Sequence, residues 1–135
     1  MTDLRIPQDV AIRALGASDL ASLREWYSGE RDDSFRRNLE RQRNGEIVYL
    51  VATLDGEAVG HLGVDLVRVR GAAWLWQFAI REHLQSQGIG SEMVRRAEVA
   101  ALDNGFRVAE IAAELTNPRA RALYERLGYV LRGIE

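Results

Sequence analysis

The chain contains no cysteine and no lysine. Without cysteine it forms no disulfide, holds no thiolate metal site and has no thiol nucleophile. Without lysine it cannot carry the Gly-Lys-Ser/Thr phosphate loop, and all 18 basic residues are arginines. Histidine is scarce too. His61 and His83 stand far apart with no metal-ligand spacing, so no metal is expected. There is no run of ~18 apolar residues and no charged-then-apolar leader, so neither a membrane span nor a signal peptide is expected. These absences point to a cytoplasmic protein that does not engage a membrane. The net charge of −2, with no basic block, argues against a nucleic-acid partner. A length of 135 residues, 47% of them hydrophobic, suits one domain with a sizeable core.

What is present centres on Gln85-Ser86-Gln87-Gly88-Ile89-Gly90. A partly aromatic and β-branched segment, Trp74 to Ile80, precedes this stretch. Amphipathic helical spacing follows it from Ser91 to Leu102. A turn of small residues at a helix start leaves backbone N–H groups unpaired at the positive end of the helix dipole. That combination is an anion site.

The remaining elements are legible from periodicity and turn chemistry. Val10 to Leu15 reads as a strand, and Ser18 as the cap of a helix carrying Leu20, Leu23 and Trp26. Asp33 or Ser34 is expected to cap a second helix with Phe35 and Leu39 on one face, ending at Asn44-Gly45. Ile47 to Leu54 and Ala58 to Val69 read as a hairpin around Asp55-Gly56. In the next strand, alternation places Trp74, Trp76, Phe78 and Ile80 on one face and Leu75, Gln77 and Ala79 on the other. After the glycine loop, Ile89, Met93, Val94, Ala97, Ala100 and Ala101 form a helical stripe stopped by Asn104-Gly105. Arg107 to Leu115 reads as a strand with Val108, Glu110, Ala112 and Glu114 on one face. Asn117-Pro118 starts a last helix with Ala120, Leu123, Tyr124 and Leu127, ended by Gly128. Tyr129 to Ile134 completes the order β-α-α-β-β-β-α-β-α-β. The strands flanking the long helix can be parallel and right-handed, and the hairpins are antiparallel. The fold class is therefore α/β (α+β), a mixed and mostly antiparallel sheet with helices on both faces.

The glycine loop alone does not choose its ligand. A dinucleotide fold wants a third small residue where Met93 stands, and three consecutive strands before the loop do not suit a βαβ repeat. The two halves together are more specific. Gln85-x-x-Gly88-x-Gly90, followed by Asn117-x-x-Ala120-x-x-Leu123-Tyr124-x-x-x-Gly128-Tyr129, resembles the GNAT superfamily of N-acetyltransferases. The resemblance covers roughly residues 10 to 134 and implies one acyl-CoA N-acyltransferase domain over residues 1–135.

The resemblance implies acetyl-CoA as donor and a primary amine, of a small molecule or a peptide, as acceptor. Gln85 would belong to the cofactor-binding loop, and the backbone amides of Ser86, Gln87, Gly88, Ile89, Gly90 and Ser91 would hold the pyrophosphate, with Ser91 adding a hydroxyl. The pantetheine arm would lie in a gap between splayed strands and pair with Phe78, Ala79 and Ile80. The Ile80 N–H would stabilise the oxyanion. Asn117 would reach the arm, and Tyr124 would protonate the departing thiolate. Relatives with a carboxylate base on the strand after the long helix often place it where this chain has Ala112. Glu114 is the first choice for that role, acting through water, and Glu110 is the alternative. Gln77 is a candidate to bind the acceptor or a water. His83 reads as a surface residue. His61 reads as a core or hairpin histidine, with an acceptor-facing position as the alternative.

The first two helices, Ser18 to Arg43, would form the acceptor pocket. Glu30, Asp32 and Asp33 there suit a cationic acceptor, or else form a solvated loop. GC-rich codon usage accounts for the missing lysines, and freedom from self-acylation is the other explanation. The chain ends at Glu135, directly after the sixth strand, and an uncovered edge there would favour a homodimer. The missing carboxylate at Ala112 motivates a second reading, a regulatory module that binds CoA without turnover. A nucleotide-binding protein of another α/β type is a third.

Overall fold

The computed structural model describes residues 9–113 and 117–130. A five-stranded sheet has the order β1-β2-β3-β4-β5, in sequence order from edge to edge. The strands are β1 (Val10–Ala14), β2 (Ile47–Leu54), β3 (Glu57–Val69), β4 (Ala72–Ile80) and β5 (Ala109–Ile111). The first four are antiparallel neighbours, and β5 joins β4 in parallel. Helices α1 (Leu20–Trp26) and α2 (Asp32–Arg43) precede β2. Helix α3 (Ile89–Asp103) links β4 to β5, and α4 (Pro118–Arg126) follows.

Two cores flank the sheet. On one face Leu23, Phe35 and Leu39 from α1 and α2 pack against Tyr49, Val51 and Ala58. On the other, Ile89, Met93, Val94, Ala97 and Ala101 of α3 cover Ala52, Leu62, Val64 and Leu75. Ala100 of the predicted stripe is only partly buried, so α3 seats on the sheet with a narrower face. The β2–β3 turn follows its sequence signal, with Asp55 and Gly56 both at positive φ (52° and 81°).

The chain enters α1 differently from the expected Ser18 cap. A single 3-10 turn, Ala17–Asp19, intervenes. Asp19 is buried, and its Oδ2 accepts the Gly16 N–H at 2.8 Å. Both its oxygens accept from the Arg13 guanidinium at 2.7 Å, tying β1 to the helix start. Serine lost to aspartate here because a carboxylate meets the fork of Arg13 as well as the backbone. Asp19→Ala is expected to cost about 2 kcal/mol in urea unfolding, the sum of a lost cap and a charge-assisted pair. The cap position of helix α2 falls at Arg31, two residues before the earlier of its expected caps, and has no side-chain cap.

The alternation expected along β4 fails at one residue, with consequences for the site. His61 is opposite Ala79 and Gly63 is opposite Trp76, so β4 carries one extra residue between them. Gln77 takes that place with φ at 54°. A bulge reverses the phase of every side chain beyond it. Leu75, Phe78 and Ile80 therefore belong to the α3-side core, while Trp76 packs on the α2 side, and Gln77 is bonded to that side as well. Trp74, Trp76, Phe78 and Ile80 do not share a face.

The strand expected over residues 107–115 is also shorter, Ala109–Ile111. It pairs with Ala73, Trp74 and Leu75 only. Past the bulge β4 diverges, and a strand with no ladder partner is not maintained. Most of the expected last strand falls outside the described residues, and Tyr129 and Val130 are not in a strand.

Candidate active site at the open end of β4

From Trp76 to Ile80, β4 pairs with β3 alone, so its other edge is unpaired among the described residues. The backbone of Phe78, Ala79 and Ile80 forms this open edge, and it leads directly into the glycine loop. A second 3-10 turn, Glu82–Leu84, reverses the chain. Gln85 then sends its side-chain amide back to the Ile80 carbonyl at 3.0 Å. That contact ties the loop to the strand end.

Gly88 is the residue before α3 and has φ at 86°, a conformation that a Cβ disfavours by about 1–2 kcal/mol. Ser86 shares the left-handed region, with φ at 67°. No acceptor among the described residues meets the N–H groups of Ser86, Gln87 or Gly88. The first-turn N–H groups of α3, Ile89 onward, add to them by helix geometry. Gly90 is needed for closeness. A Cβ there would stand 3.2 Å from Phe78 Cζ and 3.4 Å from Leu123 Cδ2, where α3, β4 and α4 converge. Ser91 is buried on α3. Arg119, at the start of α4, donates to Ser86 Oγ and brings a guanidinium to the loop. Sequence reasoning missed Arg119, because its partner lies 33 residues away and no local pattern signals the pair.

Tyr124 projects from α4 toward the same end of β4. Its ring centroid is 6.2 Å from that of Phe78. The side chain is buried, and burial pushes its phenol up to about 12. Its hydroxyl meets no hydrogen-bond partner among the described residues. No buried side-chain oxygen among the described residues lacks a partner, so this hydroxyl reaches solvent at the open end of β4. Asn117 uses its side-chain oxygen to cap α4, accepting the Ala120 N–H at 3.1 Å. Its amide nitrogen stays available.

The other face of β4 is polar where it meets α1 and α2. His61 is fully buried between two phenols, with Tyr27 Oη 2.5 Å from Nε2 and Tyr49 Oη 3.0 Å from Nδ1. Tyr49 donates to Gln77 Oε1 at 3.0 Å, and Asn38 donates to the same oxygen at 2.9 Å. Gln77 in turn donates to Ser34 Oγ at 3.1 Å. These directions fix the protons. Tyr49 uses its own proton on Gln77, so it accepts from His61 Nδ1–H. His61 Nε2 then accepts from Tyr27. Burial holds His61 neutral, pushed down to about 4, with a backbone contact at Gln77 opposing the shift. His61 is thus the core histidine of the two alternatives, and it joins Tyr27 at the end of α1 to Tyr49 and the bulge. His83 is exposed.

Of the base candidates, Glu110 stands opposite Trp74, roughly 20 Å along the strand from Ile80. That register places it at the paired end of β4, away from the open edge. Glu114 lies outside the described residues. Asp32 is engaged with Arg36 at 3.1 Å, while Glu30 and Asp33 are exposed. Among the described residues no group of three acidic or histidine side chains could hold a metal ion, and no helix is long and apolar enough to cross a membrane.

The geometry has counterparts in known proteins. The description "Acetyltransferase (GNAT) family" matches residues 17–129. An uncharacterized N-acetyltransferase of Archaeoglobus fulgidus is 30% identical over 105 residues, 73% of this chain and 69% of that protein. A GNAT-family acetyltransferase of Streptococcus pneumoniae superposes with a TM-score of 0.78 at 22% identity, over 92% of this chain and 86% of that one. An aminoglycoside N-acetyltransferase solved with CoA gives 0.78 at 16% identity, over 93% and 92% of the two chains. The solved structures share the fold, and the family match spans both the glycine loop and Tyr124, so this chain belongs to the GNAT family of acetyltransferases.

Proposed function

We propose that the protein transfers an acetyl group from acetyl-CoA to a primary amine by direct attack. The observation that carries this reading is the Tyr124 hydroxyl, unbonded beside Phe78 where the β4 edge is open. The pyrophosphate would lie on the N–H groups of residues 86–91, with Arg119 beside it, and the pantetheine arm along Phe78 to Ile80, reached by Asn117. The aminoglycoside acetyltransferase with CoA supports a site of this class on this fold.

In the reaction the amine nitrogen bonds to the thioester carbon, and its C–S bond then breaks. The Ile80 N–H stabilises the oxyanion formed between these events. One proton leaves the amine and one reaches sulfur. A phenol near 12 cannot simply hand its proton to a thiolate near ~8.5, because the transfer is uphill by about 5 kcal/mol. Tyr124 therefore acts as a hydrogen-bond donor to the developing thiolate and keeps its own proton, and the released thiolate takes its proton from solvent. Glu114 is the proposed proton acceptor, through water.

Calorimetric titration with acetyl-CoA tests the donor assignment. Micromolar binding is expected, and tight binding of NAD or ATP without acetyl-CoA binding would overturn it. Gly88→Ala is expected to weaken acetyl-CoA by about tenfold, since the strained loop relaxes and its N–H groups lose their common direction. The absence of a carboxylate at Ala112 favours a second reading, a module that binds CoA without turnover. Amine-dependent release of CoA separates the two.

A further inference from the structure

The acceptor side of β4 carries two arginines that pair with no carboxylate among the described residues. Trp26 and Tyr27, at the end of α1, stack with centroids 5.2 Å apart. The Arg81 guanidinium lies over the Trp26 ring at 4.7 Å and the Arg31 guanidinium over the Tyr27 ring at 4.7 Å. Arg81 uses Nε on the Ala58 carbonyl at 2.8 Å, and its two terminal nitrogens meet no partner among the described residues. None of the N–H groups of Arg31 has a described partner. Elsewhere arginines pair with acids, as Arg13 does with Asp19, Arg36 with Asp32 and Arg41 with Asp65. Glu25, Glu30 and Asp33, on the same segment, form no ion pair with Arg31 or Arg81. Stacking on an aromatic face leaves the edge of a guanidinium, with its forked donors, open to a planar or tetrahedral anion.

The place of these charges relative to the chemistry follows from the register. Arg81 succeeds Ile80 directly. Tyr27 bonds His61, and His61 is opposite Ala79. Arg81 therefore sits one residue past the strand end, and Arg31 lies over the ring whose hydroxyl reaches His61, on the face where α1 and α2 cover the sheet. Both act on the Tyr27 phenol, which burial raises and the two guanidiniums pull back. An acceptor whose only charge is an ammonium would meet repulsion here.

We infer that the acceptor carries an anionic group, a carboxylate or a phosphate, beside its amine, and that Arg31 and Arg81 are the charges that receive it. This rests on the acetyltransferase reading for the amine but not for the anion. The anion draws the molecule in, and the same positive field favours the neutral form of the amine, which is the nucleophile.

The test uses matched amines with the CoA-loaded protein: β-alanine against propylamine, and O-phosphoethanolamine against ethanolamine, by calorimetric titration. An anionic member is expected to bind at least about tenfold tighter than its neutral partner, with the preference shrinking as salt rises. The stronger of the two pairs tells carboxylate from phosphate. Arg81→Gln and Arg31→Gln should each remove most of the preference and leave the neutral amines within about twofold. Arg31 is exposed, so its variant keeps the fold even if that at Arg81 does not. Equal binding within both pairs, equal losses for charged and neutral amines, or no binding of any of the four would overturn the inference. Preference without CoA release from any amine would instead overturn the acetyltransferase reading and leave the anion site standing.

Discussion

Tyr124→Phe is expected to lower kcat by about 10²-fold or more while acetyl-CoA affinity stays within about twofold. The substitution removes one oxygen and leaves the ring. The ring's contact with Phe78 therefore persists, and the junction of α4 with β4 is retained. Because the hydroxyl has no described protein partner, its loss breaks no internal hydrogen bond and should be neutral for stability. That separation makes the variant informative. A residue needed only for packing would change neither kcat nor binding on this substitution. The phenol near 12 adds a pH statement: it stays protonated through the neutral range, so its loss should lower the rate without displacing a basic limb below about pH 11. An unchanged kcat would remove Tyr124 from the chemistry.

The second large effect concerns stability and pH. His61 is fully buried and pushed down to about 4, against an ordinary value of 6.5. Below 6.5 the unfolded chain takes up a proton that the folded chain refuses. Stability contributed by the neutral ring is thus whole above pH 6.5 and is lost as pH falls toward 4. The difference of about 2.5 units corresponds to about 3 kcal/mol. Urea unfolding at pH 7 and pH 4.5 should show most of that loss. His61→Gln should be less stable at pH 7, since Tyr27 and Tyr49 lose a partner, but its stability should depend much less on pH over the same window. A wild-type curve flat between pH 7 and 4.5 would contradict the buried neutral assignment.

Much of this fold is legible in the sequence wherever one local signal decides the structure. Asp55-Gly56 forces a two-residue turn, the stripe from Ile89 to Ala101 forces a helix, and Gly88 and Gly90 mark the loop between them. What resisted reading was set by distant contacts. Gln77 adopts φ at 54° with no glycine to announce it, because hydrogen bonds from Asn38 and Tyr49 and to Ser34 hold its side chain on the α2 side. One extra residue there moved Phe78 and Ile80 to the opposite face from the one alternation assigned. The same divergence ended β5 at Ile111, although Ala112 and Ala113 continue the pattern.

The candidate site divides along the same line. The loop and Tyr124 belong to short motifs that the sequence shows directly, inside the span of the family match. Arg119 on Ser86, and Arg81 on Trp26, are meetings of side chains far apart in the chain, which no local pattern announces. The acidic residues 30, 32 and 33 suggested a cationic acceptor from composition alone. In the structure Asp32 is paired with Arg36, Glu30 and Asp33 are exposed, and Arg31 and Arg81 lie over the Tyr27 and Trp26 rings.

The most direct test of the proposed reaction is a free-thiol assay on the purified chain with acetyl-CoA and a panel of primary amines, including β-alanine and O-phosphoethanolamine. CoA release that depends on the amine, matched by one equivalent of N-acetylated product and abolished by Tyr124→Phe, is the predicted result. Acetyl-CoA that binds and is never consumed with any amine would contradict it and leave a CoA-binding module.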